Sequence, residues 1–329
     1  MTDYDQQLGR AGTIPDELPQ EVARDIIKAI PESSATMSLF RRVQLSRRTA
    51  RLPVMDALPV AYWVNGDTGL KKTSRALWAN VELIVEELAV IVPIPEAVLD
   101  DSEFDVWGEI KPAVAEAFGV ALDRAILFGE SMPTGFATTI PGGLANQATA
   151  HGNDLVRGAL PGSEDITVDI GGEGGVMQLV EDDGFDVTGF AARKGLKATF
   201  RGLRDTTGQP ILSSSLTTDG SLPDLYGEPI SFVGHGGWDS DLADLITGDF
   251  GMGILGVRQD ITTKLLSEAV LTDNSSPPEI IFNLAQQDMV AMRFVGRFAF
   301  AVANPVTRAQ ADEDDRYPFA VLRPTGYTS

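Results

Sequence analysis

The 329-residue chain has room for two domains at about 150 residues each, or for one large interrupted domain. An apolar share of 43% and a charged share of 22% belong to a folding globular protein and exclude the low-hydrophobicity signature of disorder. With 26 basic and 47 acidic side chains the net charge is −21, which repels phosphate backbones and anionic lipid heads and argues against a sequence-reading nucleic-acid binder. The absence of Cys removes disulfides, thiolate metal sites and cysteine nucleophiles, and fits a reducing cytoplasm. The opening MTDYDQQLGR lacks a basic-then-apolar leader, and no apolar run approaches the ~20 residues that span a bilayer, so neither a secretory signal nor a membrane segment is expected.

Residues 1–50 read as a peripheral arm. Val22, Ile26, Ile27 and Ile30 recur at helical spacing after Pro19, predicting a short amphipathic helix that Pro31 ends. Arg41, Arg42, Arg47, Arg48 and Arg51 then place five cations within eleven residues. Two readings stand: an arm that grips phosphate or an acidic partner, or a solvated basic stretch balancing an acidic body.

LPVAYWV at 58–64 is rich in β-formers, and NGDTG at 65–69 tolerates positive φ; together they predict a hairpin tip, with Lys71 and Lys72 just beyond it. A second extended segment runs over 80–92. Val81, Leu83 and Val85 alternate in one phase and Leu88, Val90 and Val92 in the other, so a bulge or bend is expected at Glu86-Glu87. A two-stranded flap is marginal on its own in water. Tyr62 and Trp63, ordinary core residues in most proteins, are therefore expected on this flap to touch another chain.

The clearest helix comes next. Ser102-x-x-Asp105 forms an acidic variant of a capping box, and Phe104, Trp107, Ile110, Val114, Phe118, Ala121, Ala125 and Phe128 line one face. At 1.5 Å per residue a helix of about 25 residues is roughly 37 Å long. Pro112 is expected to kink it or mark its true start, and Gly129 to stop it. From Leu144 to Val257 the texture changes to short segments punctuated by GALPGSED, DIGGEGG, EDDGFD, DTTGQP and LYGEP, which predicts a loop-rich α+β domain. Extended segments follow at 258–272, 288–293 and 296–303, then the turn ADEDDR and a last strand PFAVLRP. If these return to the sheet of the long helix, the middle is an insertion into an outer domain.

Several motifs invite chemistry. Gly251-x-Gly253-x-x-Gly256 spells a dinucleotide fingerprint, but that fingerprint must open a helix, whereas ILGVRQDITT stays extended and reads as a glycine-rich strand. Asp312, Glu313, Asp314 and Asp315 lack the alternating ligands and mid-loop glycine of a calcium loop and read as a solvated turn. His151 and His235 stand without an HExxH pair, a G-x-S-x-G elbow or a phosphate-binding G-x-x-x-x-G-K loop. No catalytic residue, cofactor or metal is expected.

The order of these features resembles the major capsid proteins of tailed bacteriophages, with the Hong Kong 97-like fold. AYWVNGDTGLKKTSRALWANVELIVEELAVIVPIPEAVLDDS is similar to that family's extended loop, the strand after it and the approach to its spine helix. DRAILFGESMPTGF resembles the end of that helix. LRDTTGQPIL, LYGEPI and ITGDFGMGILGVRQDI resemble signatures of the axial domain, and DMVAMRFVGRFAFAVANP and PFAVLRP the returning strands of the peripheral domain. Together they cover Ser33 to Pro324.

The resemblance implies an α+β capsid fold divided into an N-terminal arm (1–50), an extended β-hairpin loop and its strand (51–92), a peripheral domain with the spine helix (93–143 and 258–329) and an axial domain (144–257). It implies a non-enzymatic shell protein that assembles with itself into pentamers and hexamers and encloses double-stranded DNA without sequence-specific binding. Portal and a separate scaffolding protein are its implied partners, with a decoration protein as a further one. Assembly in the host bacterial cytoplasm and residence in the virion follow. Arg41, Arg42, Arg47, Arg48, Arg51, Tyr62, Trp63, Lys71 and Lys72 are the candidate inter-subunit contacts.

Two departures matter. Members with a built-in scaffold carry a long N-terminal extension that a protease removes, and only the residues before Ser33 precede the matched region here, which implies a separate scaffold or none. Some members join a loop Lys to a neighbour's Asn with a Glu catalyst; Lys71 or Lys72 offers the amine, but Asp288 and Val295 fall at the Asn and Glu positions. Attack on a carboxylate cannot expel ammonia and valine cannot act as a base, so no covalent chain-mail is expected. Two other readings remain at this point: an encapsulin-like nanocompartment shell, and a nucleotide enzyme using the Gly251–Gly256 loop.

Overall fold

The computed structural model describes residues 34–59, 61, 73–74, 76–100, 106–162, 165–203, 224–273, 275 and 278–327. The helix expected before Pro31, the capping box at Ser102, and Tyr62, Trp63, Lys71 and Lys72 lie outside the described residues. The chain divides into two compact units. One comprises Glu87–Phe118 and Gln259–Phe298; the other lies within Pro31–Glu86, Gly119–Arg258 and Ala299–Ser329.

The chain order is α1 (Ala35–Leu39), β1 (Arg41–Gln44), β2 (Thr49–Ala57), β3 (Leu77–Ile84), β4 (Glu86–Pro95), α2 (Glu96–Asp100) and α3 (Val106–Asp123), whose last turn widens into a π-helical segment, Arg124–Phe128. α4 (Thr134–Thr139), α5 (Gly143–Ala150), β5 (Asp154–Val156), α6 (Ile166–Gly171), α7 (Val176–Asp182), β6 (Gly189–Arg193), α8 (Leu196–Gly202), β7 (Ile230–Val233) and β8 (Leu245–Gly248) follow. β9 (Gly253–Leu266), β10 (Val270–Thr272), β11 (Ile280–Asn283), β12 (Met289–Val302) and β13 (Phe319–Arg323) complete it.

In α3 the predicted stripe is real where it is described: Val114, Phe118, Ala125 and Phe128 are buried, and Ile110 and Ala121 half-buried. Pro112 lies inside the helix and is not its start. Gly129 ends it in the left-handed region at φ 74°, its N–H donating to Ala125 at 3.2 Å. The expected bend at Glu86-Glu87 is a break at Val85. There the chain leaves its antiparallel pairing with β2 and enters a sheet of order β1-β9-β12-β4, so the change of phase marks a change of sheet.

Within the first unit, α2 and the sheet strands bury Ile94, Leu99, Met292, Phe294 and Phe298. The Glu96 N–H donates to the Asp288 carbonyl at 2.8 Å, and Arg297 pairs with Glu87 at 2.8 Å. Asp288 holds a positive φ of 48°, a conformation Asp tolerates better than most residues. Val295 is buried in β12, which continues unbroken through Gly296 rather than as the two segments expected there.

The second unit centres on a five-stranded sheet of order β5-β13-β8-β6-β7. Its apolar face packs against α6, α7 and α8 through Ile170, Val176, Val180, Phe190, Leu196 and Leu322. The last strand is a correction to the sequence reading. PFAVLRP does not return with the segments before it; Phe319–Leu322 runs antiparallel to β8, and Val321–Arg323 runs parallel to β5. Both faces of β13 are buried, which is why its sequence is continuously apolar and carries no alternation to announce its sheet.

Candidate assembly surfaces

β2 and β3 form a two-stranded antiparallel ribbon, paired from Thr49↔Ile84 to Ala57↔Leu77, with a shift of register between Met55 and Ala57. Near its base one face is covered from within the chain. Leu83 and Val85 join Leu45, Ile254, Ala299, Ala301 and Ala303 in a small core, and the Gly135 N–H at the start of α4 donates to Glu86 Oε1 at 2.8 Å. The flap therefore has more companion surface at its base than its sequence suggests. On β3 farther out, Leu77 is 50% exposed and Trp78 64%. Sequence reading placed the interface aromatics at Tyr62 and Trp63 and passed over Trp78, which pairs with Met55 on the ribbon and is left exposed.

The arginine stretch is distributed over three local settings. Arg41 and Arg42 sit on β1, which runs parallel to β9, and the Arg42 guanidinium turns back to the Met37 carbonyl. Arg47 and Arg48 are exposed on the bend before β2. Arg51 faces Glu82 across the ribbon, Nε to Oε1 at 2.7 Å, so its charge is answered within the chain. A further exposed apolar set, Val270, Ile280 and Ile281 on the β10–β11 hairpin, was missed; the β-branched pair after Pro278 was its only sequence signal.

Ser34, Asp123 and His235 come together in the core as a serine, a carboxylate and an imidazole, but not wired for nucleophilic catalysis. Asp123 Oδ1 accepts from the Ser34 hydroxyl at 2.7 Å and the Thr36 N–H at 3.0 Å; Oδ2 accepts from the Ala35 N–H at 3.1 Å and lies 3.0 Å from His235 Nε2. The Gly237 N–H donates to His235 Nδ1 at 3.3 Å, which leaves Nε2 as the protonated nitrogen in the neutral ring. The serine thus donates to the acid, not to the histidine, and the group caps α1. The side chains of His235 and Asp123 are 4% and 0% exposed, closed to any substrate. His151 stacks on Tyr317 at 4.8 Å and its Nδ1 lies 2.8 Å from the Gln147 carbonyl.

The other motifs resolve into packing. Gly253 and Gly256 lie in β9, where a Cβ at Gly253 would collide with the Phe40 ring and one at Gly256 with Leu45, so these glycines admit the arm strand rather than a pyrophosphate. The residues Ala311–Asp315 are exposed, and the Asp314 N–H donates to Asp312 Oδ1 at 3.2 Å within the turn. Burial raises the Asp169 carboxyl above its ordinary range, against the opposing pull of the Gly158 N–H and the Arg157 guanidinium. Burial and then the neighbouring charge of Asp186 raise Asp249, while N–H donors of Gly251 and Met252 oppose them. Among the described residues no cluster of three or more His, Asp or Glu side chains is placed to hold a metal ion, and no helix is long and apolar enough to cross a membrane.

Comparison with known proteins decides what such a ribbon-bearing fold is for. The model of the phage capsid family matches residues 17–307. The chain belongs to the phage capsid family. The major capsid protein of Staphylococcus phage 80alpha is 26% identical over 288 residues, 87% of this chain and 82% of that protein. A solved structure from Microbacterium phage Oxtober96 is 36% identical with a TM-score of 0.75, covering 95% of this chain and 96% of the other. One from Mycobacterium phage Adephagia is 30% identical with a TM-score of 0.74, covering 89% and 90%. This phage capsid protein has the Hong Kong 97-like α+β fold, and it is a structural protein of the virion that assembles with itself into the icosahedral shell. Its relatives are phage capsids, which sets aside the nanocompartment reading.

Proposed function

We propose that the chain builds pentamers and hexamers, with residues 144–257, joined in their sheet by 319–323, as the axial domain at capsomer centres, the 86–143 and 258–302 segments as the peripheral domain, and the β2–β3 ribbon laid across the next copy. The observation that carries this reading is the exposure of Leu77 and Trp78 on a two-stranded ribbon. A head-to-tail contact of this kind closes into rings at a fixed number of copies. Negative-stain microscopy of the chain expressed alone is expected to show closed particles or capsomer rings; a persistent monomer would overturn the reading.

Arg41, Arg42, Arg47 and Arg48 are proposed to face acidic surface on adjacent copies, with Arg51 extending that surface beside its Glu82 pair, and Tyr62, Trp63, Lys71 and Lys72 are proposed contacts near the ribbon tip. Changing Arg41, Arg47 and Arg48 together to glutamate is expected to lower particle yield by about tenfold or more while moving the unfolding midpoint by only a few degrees, because exposed charges contribute little to folding. Unchanged yield would count against the pairing.

No catalytic role belongs to this reading, nor any covalent crosslink. Asp288 and Val295 supply neither the amide nor the base that an isopeptide bond to Lys71 or Lys72 requires. Shells boiled in detergent are expected to run as a single 35.2 kDa band, and a ladder of multiples would refute this. The net charge of −21 suits a container whose wall repels packaged double-stranded DNA and lets it slide, with portal, scaffolding and decoration proteins as partners and the host cytoplasm as the place of assembly. Tight binding of free DNA by assembled shells at physiological salt would oppose it.

A further inference from the structure

Between the end of β12 at Val302 and the start of β13 at Phe319 the chain has no helix or strand. Connections beyond about 12–15 residues without regular structure are uncommon unless they do something. This one is far from loose. The guanidinium of Arg316, 2% exposed, donates from Nε to the Pro305 carbonyl at 3.1 Å, from Nη1 to Ala311 at 2.8 Å and from Nη2 to Asn304 at 3.1 Å. Asn304 Nδ2 donates back to the Arg316 carbonyl at 2.9 Å. A planar fork of fixed donors thus holds the segment in one shape. The Thr307 hydroxyl donates to the Asp183 carbonyl at 2.6 Å, which fastens that shape to the end of α7.

The outer side of the same segment grips the ribbon. The Val306 N–H donates to the Met55 carbonyl at 3.0 Å, and Arg308 Nη2 donates to the Pro59 carbonyl at 3.1 Å. Met55 is where the β2–β3 register shifts, and it pairs with Trp78. An irregularity of this kind bends a strand and increases its twist, so it bears on the direction of the ribbon where Ala57 pairs with Leu77.

We propose that the segment 304–311, shaped by Arg316, is a strap that fixes the angle of the ribbon at its bulge, making Val306 and Arg308 positioning residues for the contact between copies. This rests on the reading that the ribbon lies on a neighbouring copy. Holding an otherwise two-stranded element in one direction before a partner arrives lowers the ordering cost of each contact. It also makes the ribbon angle a property of the chain rather than of the lattice.

The test combines Val306→Pro, which removes the N–H, with Arg308→Ala in the full chain, leaving Arg316 and its carbonyls intact. In the unassembled variant, amide exchange over residues 55–57 and 77–79 is expected to accelerate about tenfold or more, while amides of β8 and β13 keep their rates. Shells grown from the variant are expected to be open or of mixed size. A second variant, Met55→Cys with Val306→Cys in an Arg308→Ala background of this cysteine-free chain, is expected to show slower ribbon exchange and more uniform shells when oxidised than when reduced. Unchanged ribbon exchange in the first variant would overturn the strap, and faster exchange with uniform shells would overturn its role in positioning. If the ribbon amides of the parent chain exchange no more slowly in shells than before assembly, the neighbour-contact reading itself fails, whatever the strap does.

Discussion

Replacing Asp123 with alanine is expected to cost about 3–5 kcal/mol of folding stability, the range for removing one side of a buried, charge-assisted network. The reason is the number of groups that converge on one fully buried carboxylate. The Ser34 hydroxyl, the Ala35 and Thr36 N–H groups and the His235 imidazole all direct donors at it, and none of them has water as a substitute. Alanine leaves every one of these unpaired and opens a void beside them. At roughly 2–4 °C per kcal/mol for a chain of this class, the unfolding midpoint of the unassembled protein falls by on the order of ten degrees. His235→Gln removes only one donor and keeps a side-chain amide in reach of the carboxylate, so about 1–2 kcal/mol is expected. Ser34→Ala is expected to cost about as much, since it removes an N-cap as well as a hydroxyl that Asp123 accepts. Because all three residues share one network, the costs should not add: the double change of Asp123 and Ser34 to alanine should fall short of the sum. Denaturant unfolding of the four variants decides it, and an Asp123→Ala loss under about 1 kcal/mol would mean that the node is not what anchors the arm.

That node shows where local pattern stops being informative. Asp123 ends a long amphipathic helix, and nothing in its neighbourhood distinguishes it from a solvated carboxylate; its partners lie 87 to 112 positions away along the chain. Arg316 and Arg323 mislead in the same way. Both read as surface charge, yet both are buried and spend their donors on backbone carbonyls, Arg323 reaching Leu242 at 2.6 Å and Ala145 at 3.1 Å. The placement of β13 was hidden for the opposite reason, because a strand covered on both faces has no period to read.

What the residues did disclose was written in short-range geometry. The stripe from Val114 to Phe128 repeats with the helix, Gly129 supplies the left-handed stop, and the change of phase near Glu86 is a true discontinuity. Even there the physical meaning was incomplete. A period of two tells which side chains share a face but not which sheet the strand has joined, so a handover between two sheets and a bulge in one look alike.

Trp78→Ala is expected to leave folding almost untouched and to stop assembly at concentrations where the parent chain forms shells. The side chain is 64% exposed in the single chain, so its removal should move folding stability by no more than about 0.5 kcal/mol. If the ribbon lies on the next copy, its exposed tryptophan is the anchor there, and truncating such residues costs about 2–4 kcal/mol per contact. Two kcal/mol alone weakens an association about 30-fold. On the proposed head-to-tail contact each copy both gives and receives the ribbon, so every ring repeats the loss at each of its contacts. Closed shells draw their persistence from many modest contacts made at once, and weakening all of them together raises the concentration needed for closure far more than weakening one. Leu77→Ser, half-exposed beside it on the ribbon, should act in the same direction with a smaller effect, about tenfold. Sedimentation of the purified variants across a concentration series, with circular dichroism to confirm folding, separates the two effects. Shells forming from Trp78→Ala at the parent's threshold would mean that the outer face of the ribbon meets solvent rather than a neighbour, and the ribbon would then have to hold its neighbour through its backbone edges or its tip.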